Sequence, residues 1–216
     1  MNLYTLLESG FPKDKKACAI ETHDGLYYSW DDVERATSKL ANLLASLKLP
    51  AGSRVAVQVE KSPEALFLYL ATLKAGLVYL PLNTAYQAAE IEYFVGNAEP
   101  GVVVCSPKNF SWVSKVAFSA GTKHVFTLGE NRDGSLLERA AGLSDKFKTV
   151  ARSDDDLAAI LYTSGTTGRS KGAMLSHGNL SSNAKVLKTY WAWQKGDVLL
   201  HALPIFHVHG LFVASH

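Results

Sequence analysis

The sequence predicts an α/β protein: layered, mostly parallel sheets flanked by helices. Three observations carry that expectation. Extended and helical patterns alternate along the 216 residues, the rhythm of parallel strands joined by covering helices. Val102, Val103, Val104 and Cys105 form a short run that is apolar throughout, as a strand buried on both faces requires. Third, another apolar run ends in a stretch rich in glycine and hydroxyls and is followed by a further short apolar run, which reads as strand, loop, strand.

The elements follow in order. Ser29 is placed to cap a helix, with Asp32 three residues later in the manner of a capping box. Val33, Ala36, Leu40, Leu43, Leu44 and Leu47 then recur at helical spacing. Residues 54–59 are strand-like. Ser62, Pro63 and Glu64 start a helix, with proline at its first position; it runs through Leu73 and stops at Gly76. A strand over 77–81, a helix over 88–96, punctuation at Pro100 and Gly101, the buried strand 102–105, a helix over 110–120 and a strand over 124–128 come next. Residues 131–134 form a turn and 146–156 a polar connection. Its acidic run, Asp154, Asp155 and Asp156, reads as a solvated loop because no second cluster of metal ligands accompanies it. Beyond the hydroxyl-rich stretch, a strand over 172–176 leads through Ser176, His177 and Asn179 into a helix reaching Tyr190. A strand over 197–203 is closed by Pro204, and the apolar residues 210–216 begin a helix. Residues 1–150 are expected to form a first α/β subdomain, and 151–216 to start a second one that carries the loop 163–172. The final apolar segment has no cap or polar tail, so the chain is expected to be the N-terminal part of a longer protein.

Nearly half of the residues are apolar (47%), enough to bury a substantial core, and the formal net charge is only +2. The lack of a basic stripe argues against nucleic acid as a main partner. The N-terminus has neither a basic region nor a long apolar run, so it is not a signal peptide. The longest apolar run, near residues 66–73, is too short to span a membrane. Cys18 and Cys105 are isolated, as suits a reduced interior. A cytoplasmic protein with no membrane partner is expected, with Cys105 as a small buried hydrophobe.

Residues 161–172, LYTSGTTGRSKG, hold three glycines, three threonines, two serines and two basic residues. Glycine lets backbone N–H groups approach a ligand closely. Hydroxyls add donors and Lys171 adds a point charge, which together are the parts of a polyphosphate cradle. It is not a Walker A loop, which needs glycine before the lysine and a hydroxyl residue after it; Lys171 stands between Ser170 and Gly172. A strand follows instead of a helix, so the cradle is a hairpin flap with no helix dipole aimed at the phosphates.

Residues 162–172 resemble the signature of the adenylate-forming enzymes: acyl-CoA synthetases, peptide-synthetase adenylation domains and luciferases. That family usually has proline where Ser170 stands, a departure that changes loop stiffness more than chemistry. Three further stretches resemble the family in its order: 26–30 with the helix after it, 73–83 (LKAGLVYLPLN) and 201–210 (HALPIFHVHG). The finer likeness, including the Arg169-Ser170-Lys171 variant, is to malonyl-CoA synthetases.

The resemblance implies that a carboxylate attacks ATP to give an acyl-adenylate and pyrophosphate, and that the thiol of coenzyme A then displaces AMP. It implies Thr163, Ser164, Gly165, Thr166, Thr167 and Gly168 as phosphate donors and Lys171 as the catalytic cation on the departing pyrophosphate. Arg169 either does likewise or points to solvent. His207 is implied as a catalytic gate between the two half-reactions and as a substrate-binding residue, and His209 as a neighbour of the acyl pocket. The alternative for both histidines is a hydrogen-bonded core position, and His177 reads as structural. Mg2+ would bridge the phosphates, its protein ligand lying outside this chain, as would the arginine expected to hold a second carboxylate, the rest of the large domain and a C-terminal lid. No metal ligand is assigned within the chain. Tyr79, Asn83 and Tyr86 follow a strand end, where clefts form, but sheet packing and turn formation explain them better. A small carboxylic acid, ATP and coenzyme A are the expected partners. A fatty acyl-CoA ligase of the same family and a non-catalytic nucleotide- or acyl-binding module are the alternatives; alone, the 216 residues are expected to be inactive.

Overall fold

A short apolar strand with its backbone groups unpaired is not stable by itself, and among the described residues six strands satisfy one another in one sheet. A computed structural model describes residues 1–163 and 170–216. The first element is helix α1 (Leu3–Glu8), followed by strands β1 (Cys18–Glu21) and β2 (Tyr27–Ser29), which pair as a small antiparallel hairpin. Helix α2 (Trp30–Ser46) starts at the expected capping box: the Ser29 hydroxyl accepts from the Asp32 N–H at 3.1 Å, and the Asp32 carboxylate accepts from the Ser29 N–H at 2.9 Å. Strand β3 (Arg54–Gln58), helix α3 (Pro63–Lys74), strand β4 (Val78–Pro81), helix α4 (Ala88–Ala98), strand β5 (Val102–Cys105), helix α5 (Phe110–Ser119) and strand β6 (His124–Thr127) carry the α/β alternation. Helix α6 (Ser135–Ala141), strands β7 (Leu157–Thr163) and β8 (Lys171–Ser176) and helix α7 (His177–Tyr190) follow, with a π-helical turn at His209–Val213.

The sheet order is β6-β5-β3-β4-β7-β8. All pairs are parallel except β7 with β8. Tyr79 of β4 is in register with Ala159 of β7, so residues on both sides of position 150 share one sheet. Because side chains alternate along a strand, the sheet separates two cores. Val55, Val57, Tyr79, Val102, Val104 and Phe126 face a core that includes α1, α2, α3 and α6 residues, whereas Ala56, Leu80, Val103 and Cys105 face one with α4 and α5 residues. This is the expected layered, mostly parallel α/β fold.

Helix α3 shows why a segment apolar all round must be central. Ala65, Leu68, Tyr69, Ala71 and Leu73 are fully buried, and Phe67 and Leu70 nearly so. Each large side chain contributes roughly 1.5–3 kcal/mol by leaving water. Lys74 at its end is buried too; its Nζ donates to Ser38 Oγ at 3.0 Å and to the Tyr4 hydroxyl at 3.3 Å, and lies 4.7 Å from the Tyr4 ring centroid. Burial lowers its pKa from the ordinary lysine value, against a weaker upward pull from Glu8 and Glu34.

Two expectations fail. Residues 197–203 are not a strand: they have no regular structure, and Val198 and Leu200 are 92% and 91% exposed. Apolar alternation makes a strand only where a neighbour takes its N–H and C=O groups, and no described strand pairs with it. The expected helix over 210–216 is only the π-helical turn, closed by the Ala214 N–H on His209 O at 2.8 Å. Helices α1 and α6 and the β1–β2 hairpin were not expected; with six, seven, four and three residues, they are too short for periodicity to announce them.

Candidate functional site

Strand β7 runs parallel to β4, so it leaves the sheet at the carboxyl edge, where α/β proteins place their binding crevices. β8 returns antiparallel, with Tyr162 opposite Gly172 and Thr163 opposite Lys171. Both residues of that last pair are exposed, and the Thr163 hydroxyl reaches the carbonyl of Lys171 at 3.5 Å. The hairpin expected around the hydroxyl-rich stretch is therefore present. Ser164, Gly165, Thr166, Thr167, Gly168 and Arg169 lie outside the described residues. At Gly172 a Cβ would come 3.0 Å from Ile160 Cγ2 and 3.5 Å from the Tyr162 ring, so glycine allows β8 to lie close over β7.

The base of the hairpin is tied to α4. The Tyr93 hydroxyl donates to the Ser170 carbonyl at 2.7 Å, and the Tyr162 hydroxyl donates to Asn97 Oδ1 at 2.5 Å. Rings support both bonds: Phe94 and Tyr162 centroids are 4.4 Å apart, and Tyr93 meets Tyr162 edge-on at 6.2 Å. Burial raises the Tyr162 phenol above its ordinary pKa. Sequence reasoning missed Tyr93 and Asn97. The available signal was their spacing of four residues, which puts both on one face of a helix.

His207 and His209 are exposed, not core histidines. The His207 ring stands 4.6 Å from that of Phe206. Their segment is fastened to the sheet-covering layer. Lys61 Nζ donates to His201 O at 2.5 Å, Tyr69 Oη lies 2.8 Å from His216 Nε2, and Phe212 packs 5.9 Å from Tyr69. Gly210 is required there, since a Cβ would fall 2.1 Å from the Pro204 carbonyl oxygen. Burial lowers His216 to a pKa of about 4.

Tyr79, Asn83 and Tyr86 have the packing and turn roles expected. Tyr79 packs edge-on against Tyr69 at 5.0 Å, Tyr86 lies 4.9 Å from Phe94, and Asn83 Oδ1 accepts from the Ala85 N–H at 2.9 Å. The loop they occupy is held at the carboxyl edge by Gln58 of β3, whose Nε2 donates to Asn83 O at 3.0 Å and Tyr86 O at 2.9 Å. Cys105 is fully buried and its thiol is pushed up to about 12. Among the described residues no group of three or more His, Cys, Asp or Glu side chains could hold a metal ion. A concavity of about 490 Å3 bordered by Tyr28, Arg35, Lys39, Glu64 and Arg132 takes no lining residue from β7, β8 or 201–216, so it is separate from the hairpin.

A mostly parallel α/β sheet with a basic, hydroxyl-bearing hairpin at its carboxyl edge defines the class of α/β proteins that place a ligand crevice at that edge. Within that class, the chain belongs to the family described as AMP-binding enzyme, whose pattern matches residues 9–215. It is 53% identical to ATP-bound MatB from Rhodopseudomonas palustris, with a TM-score of 0.94 over 99% of this chain and 42% of that one. It is 30% identical over 209 residues to an oxalate–CoA ligase of Arabidopsis thaliana, covering 93% of this chain and 39% of the relative. A malonate–CoA ligase of Arabidopsis thaliana is 29% identical over 164 residues, covering 76% and 27%. The chain thus spans about two-fifths of the length of the first relatives it matches. No described helix is long and apolar enough to cross a membrane.

Proposed function

We propose that this chain is the ATP-handling part of an AMP-forming acid–thiol ligase, an acyl-CoA synthetase. The observation that carries the reading is Lys171 facing Thr163 across the mouth of the hairpin in a chain of the AMP-binding family. In the first step a substrate carboxylate oxygen bonds to the α-phosphorus of ATP and the bond to the pyrophosphate oxygen breaks. In the second, the thiol of coenzyme A gives its proton to solvent, its sulfur bonds to the acyl carbon, and the bond from that carbon to the phosphate oxygen breaks so that AMP leaves. Such a transfer gains chiefly from positioning and from neutralising charge on phosphate oxygens.

The Thr163 hydroxyl with Ser164, Gly165, Thr166, Thr167 and Gly168 would donate to the β- and γ-phosphates, and Lys171 would neutralise the departing pyrophosphate. His207 would act as the gate between the two half-reactions, and its exposure accords with a ring that has to move. His209 would border the acyl pocket. Magnesium, when bound, supplies charge neutralisation between phosphates; the described residues offer no carboxylate cluster to hold it, and none of the roles above depends on it. Residues 1–150 and 151–216 would both belong to the enzyme's large domain, and a division into two subdomains near 150 would have to cross the sheet that β4 and β7 share. Cys18 and Cys105 are free thiols, which suits a cytoplasmic compartment.

For the acid we propose a short dicarboxylate, malonate or methylmalonate. Support comes from the likeness of 79–86, 168–177 and 202–215 to malonyl-CoA synthetases, and from relatives named for malonate and oxalate. The test is ATP–pyrophosphate exchange by the full-length protein with malonate, methylmalonate, oxalate and octanoate. Exchange with malonate or methylmalonate above the others is expected; octanoate as the best acid would overturn the substrate. Lys171→Ala should slow adenylation roughly 10²-fold and leave thioester formation from preformed acyl-adenylate nearly unchanged. Equal slowing of both steps would remove Lys171 from the pyrophosphate role.

A further inference from the structure

Lys171 is the first residue of β8 and its side chain is exposed. Among the described residues no side chain holds its ammonium, so its reach follows from where the backbone starts the strand. That start is fixed from outside the hairpin. Ser170, the preceding residue, gives its carbonyl to the Tyr93 hydroxyl at 2.7 Å, which sets the plane of the peptide joining Ser170 to Lys171. On the opposite strand, Tyr162 stands next to Thr163, the residue paired with Lys171, and its hydroxyl is held by Asn97 at 2.5 Å. Both anchors rise from α4, one helical turn apart. The helix is itself secured by Ile91, Phe94, Val95 and Ala98, all buried in the core on that face of the sheet.

We infer that Tyr93 and Asn97 are positioning residues for Lys171, holding the two stems of the hairpin so that its cation meets the phosphates at one distance. The inference rests on the Lys171 role proposed above. A misplacement of about 1 Å in a charged contact of this kind is enough to cost rate. The hydrogen bonds that give Tyr93 and Asn97 this role run to the Ser170 carbonyl and the Tyr162 hydroxyl, the two stems of the hairpin.

The test uses the full-length protein with malonate and ATP, and follows the two half-reactions separately. Tyr93→Phe deletes one hydroxyl and leaves the ring cluster intact. It should lower kcat/KM for ATP in adenylation about five-fold, as expected for one lost hydrogen bond, with thioester formation from preformed acyl-adenylate unchanged. Asn97→Ala and Tyr162→Phe remove the second bond from its two sides and should match each other. In a Lys171→Ala background, Tyr93→Phe should have no further effect, because the group it positions is gone. Unaltered adenylation in Tyr93→Phe and Asn97→Ala, equal slowing of both half-reactions, or an undiminished five-fold loss in the Lys171→Ala background would each overturn the positioning role. If Lys171→Ala alone leaves adenylation intact, the proposed role of Lys171 falls and this inference with it; if that variant is slow while Tyr93→Phe is not, only the inference falls.

Discussion

The imidazole Nδ1 of His177 accepts a hydrogen bond from the backbone N–H of Leu3 at 3.0 Å, joining the first turn of α1 to the first turn of α7. His177 is fully buried, and its Nε2 has no hydrogen-bond partner among the described residues. A proton on Nδ1 would set a donor against a donor. Burial first, then Arg152 and the N-terminal ammonium, lower its pKa to about 4, while Asp156 and Asp154 pull weakly the other way. In the unfolded chain the ring takes its proton near the ordinary value of about 6.5. Above that pH both states are neutral and the full stability is present. As pH falls from about 6.5 to about 4 the unfolded state binds the proton first, and stability is lost, by on the order of 3 kcal/mol. His216, also lowered to about 4 by burial, adds to the same window. Urea denaturation between pH 7 and 4 should therefore show a falling free energy that His177→Gln, which keeps an acceptor for Leu3, flattens by roughly half. Identical slopes in the two proteins would exclude His177 as a source.

Gly76 ends α3 with φ at +70°, and its carbonyl accepts from Arg152 Nε at 2.9 Å. A Cβ there would come 2.8 Å from the same Nε and 2.9 Å from Val150 Cγ1. Gly76→Ala therefore meets two costs: left-handed backbone, about 1–2 kcal/mol, and displacement of the Arg152 side chain that bonds it. Gly25, with φ at +80° and nothing within 4 Å of a Cβ, isolates the first cost. Chemical denaturation should find Gly76→Ala less stable than Gly25→Ala by about 1–2 kcal/mol, the worth of a disturbed charged hydrogen bond. Equal losses would mean that Arg152 moves aside freely.

These residues also mark how much of the fold was legible. Gly76 after an apolar helix, Ser29 with Asp32, and Pro63 after Ser62 are local signals, and each sits at the boundary it announced. The continuous apolar run at β5 named a two-sided buried strand for the same reason: the signal lies within four residues. The chemistry of the hairpin was legible because glycine, hydroxyls and lysine are clustered in sequence. Its support was not, because Tyr93 meets Ser170 across 77 residues and Asn97 meets Tyr162 across 65. Residues 197–203 mislead for the opposite reason: their alternation is local, but a strand also needs a neighbour, and local pattern carries no information about one.

The apolar side chains left on the surface are concentrated late in the sequence. Val186, Tyr190, Val198 and Leu200 are 59%, 84%, 92% and 91% exposed, and Trp191 and Leu203 nearly half exposed. Scattered exposed apolar residues are ordinary, but a concentration of large ones makes a surface prone to association. Val198 and Leu200 add a second hazard, because they sit on an alternating segment whose backbone groups no described strand takes. The polypeptide 1–216 by itself should self-associate with rising concentration in sedimentation velocity. Val198→Lys combined with Leu200→Lys should shift it toward monomer without changing its circular dichroism, since neither side chain contributes to a core. A wild-type polypeptide that stays monomeric at high concentration, or a double variant that associates as strongly as the parent, would show that this segment is not the source of the contact.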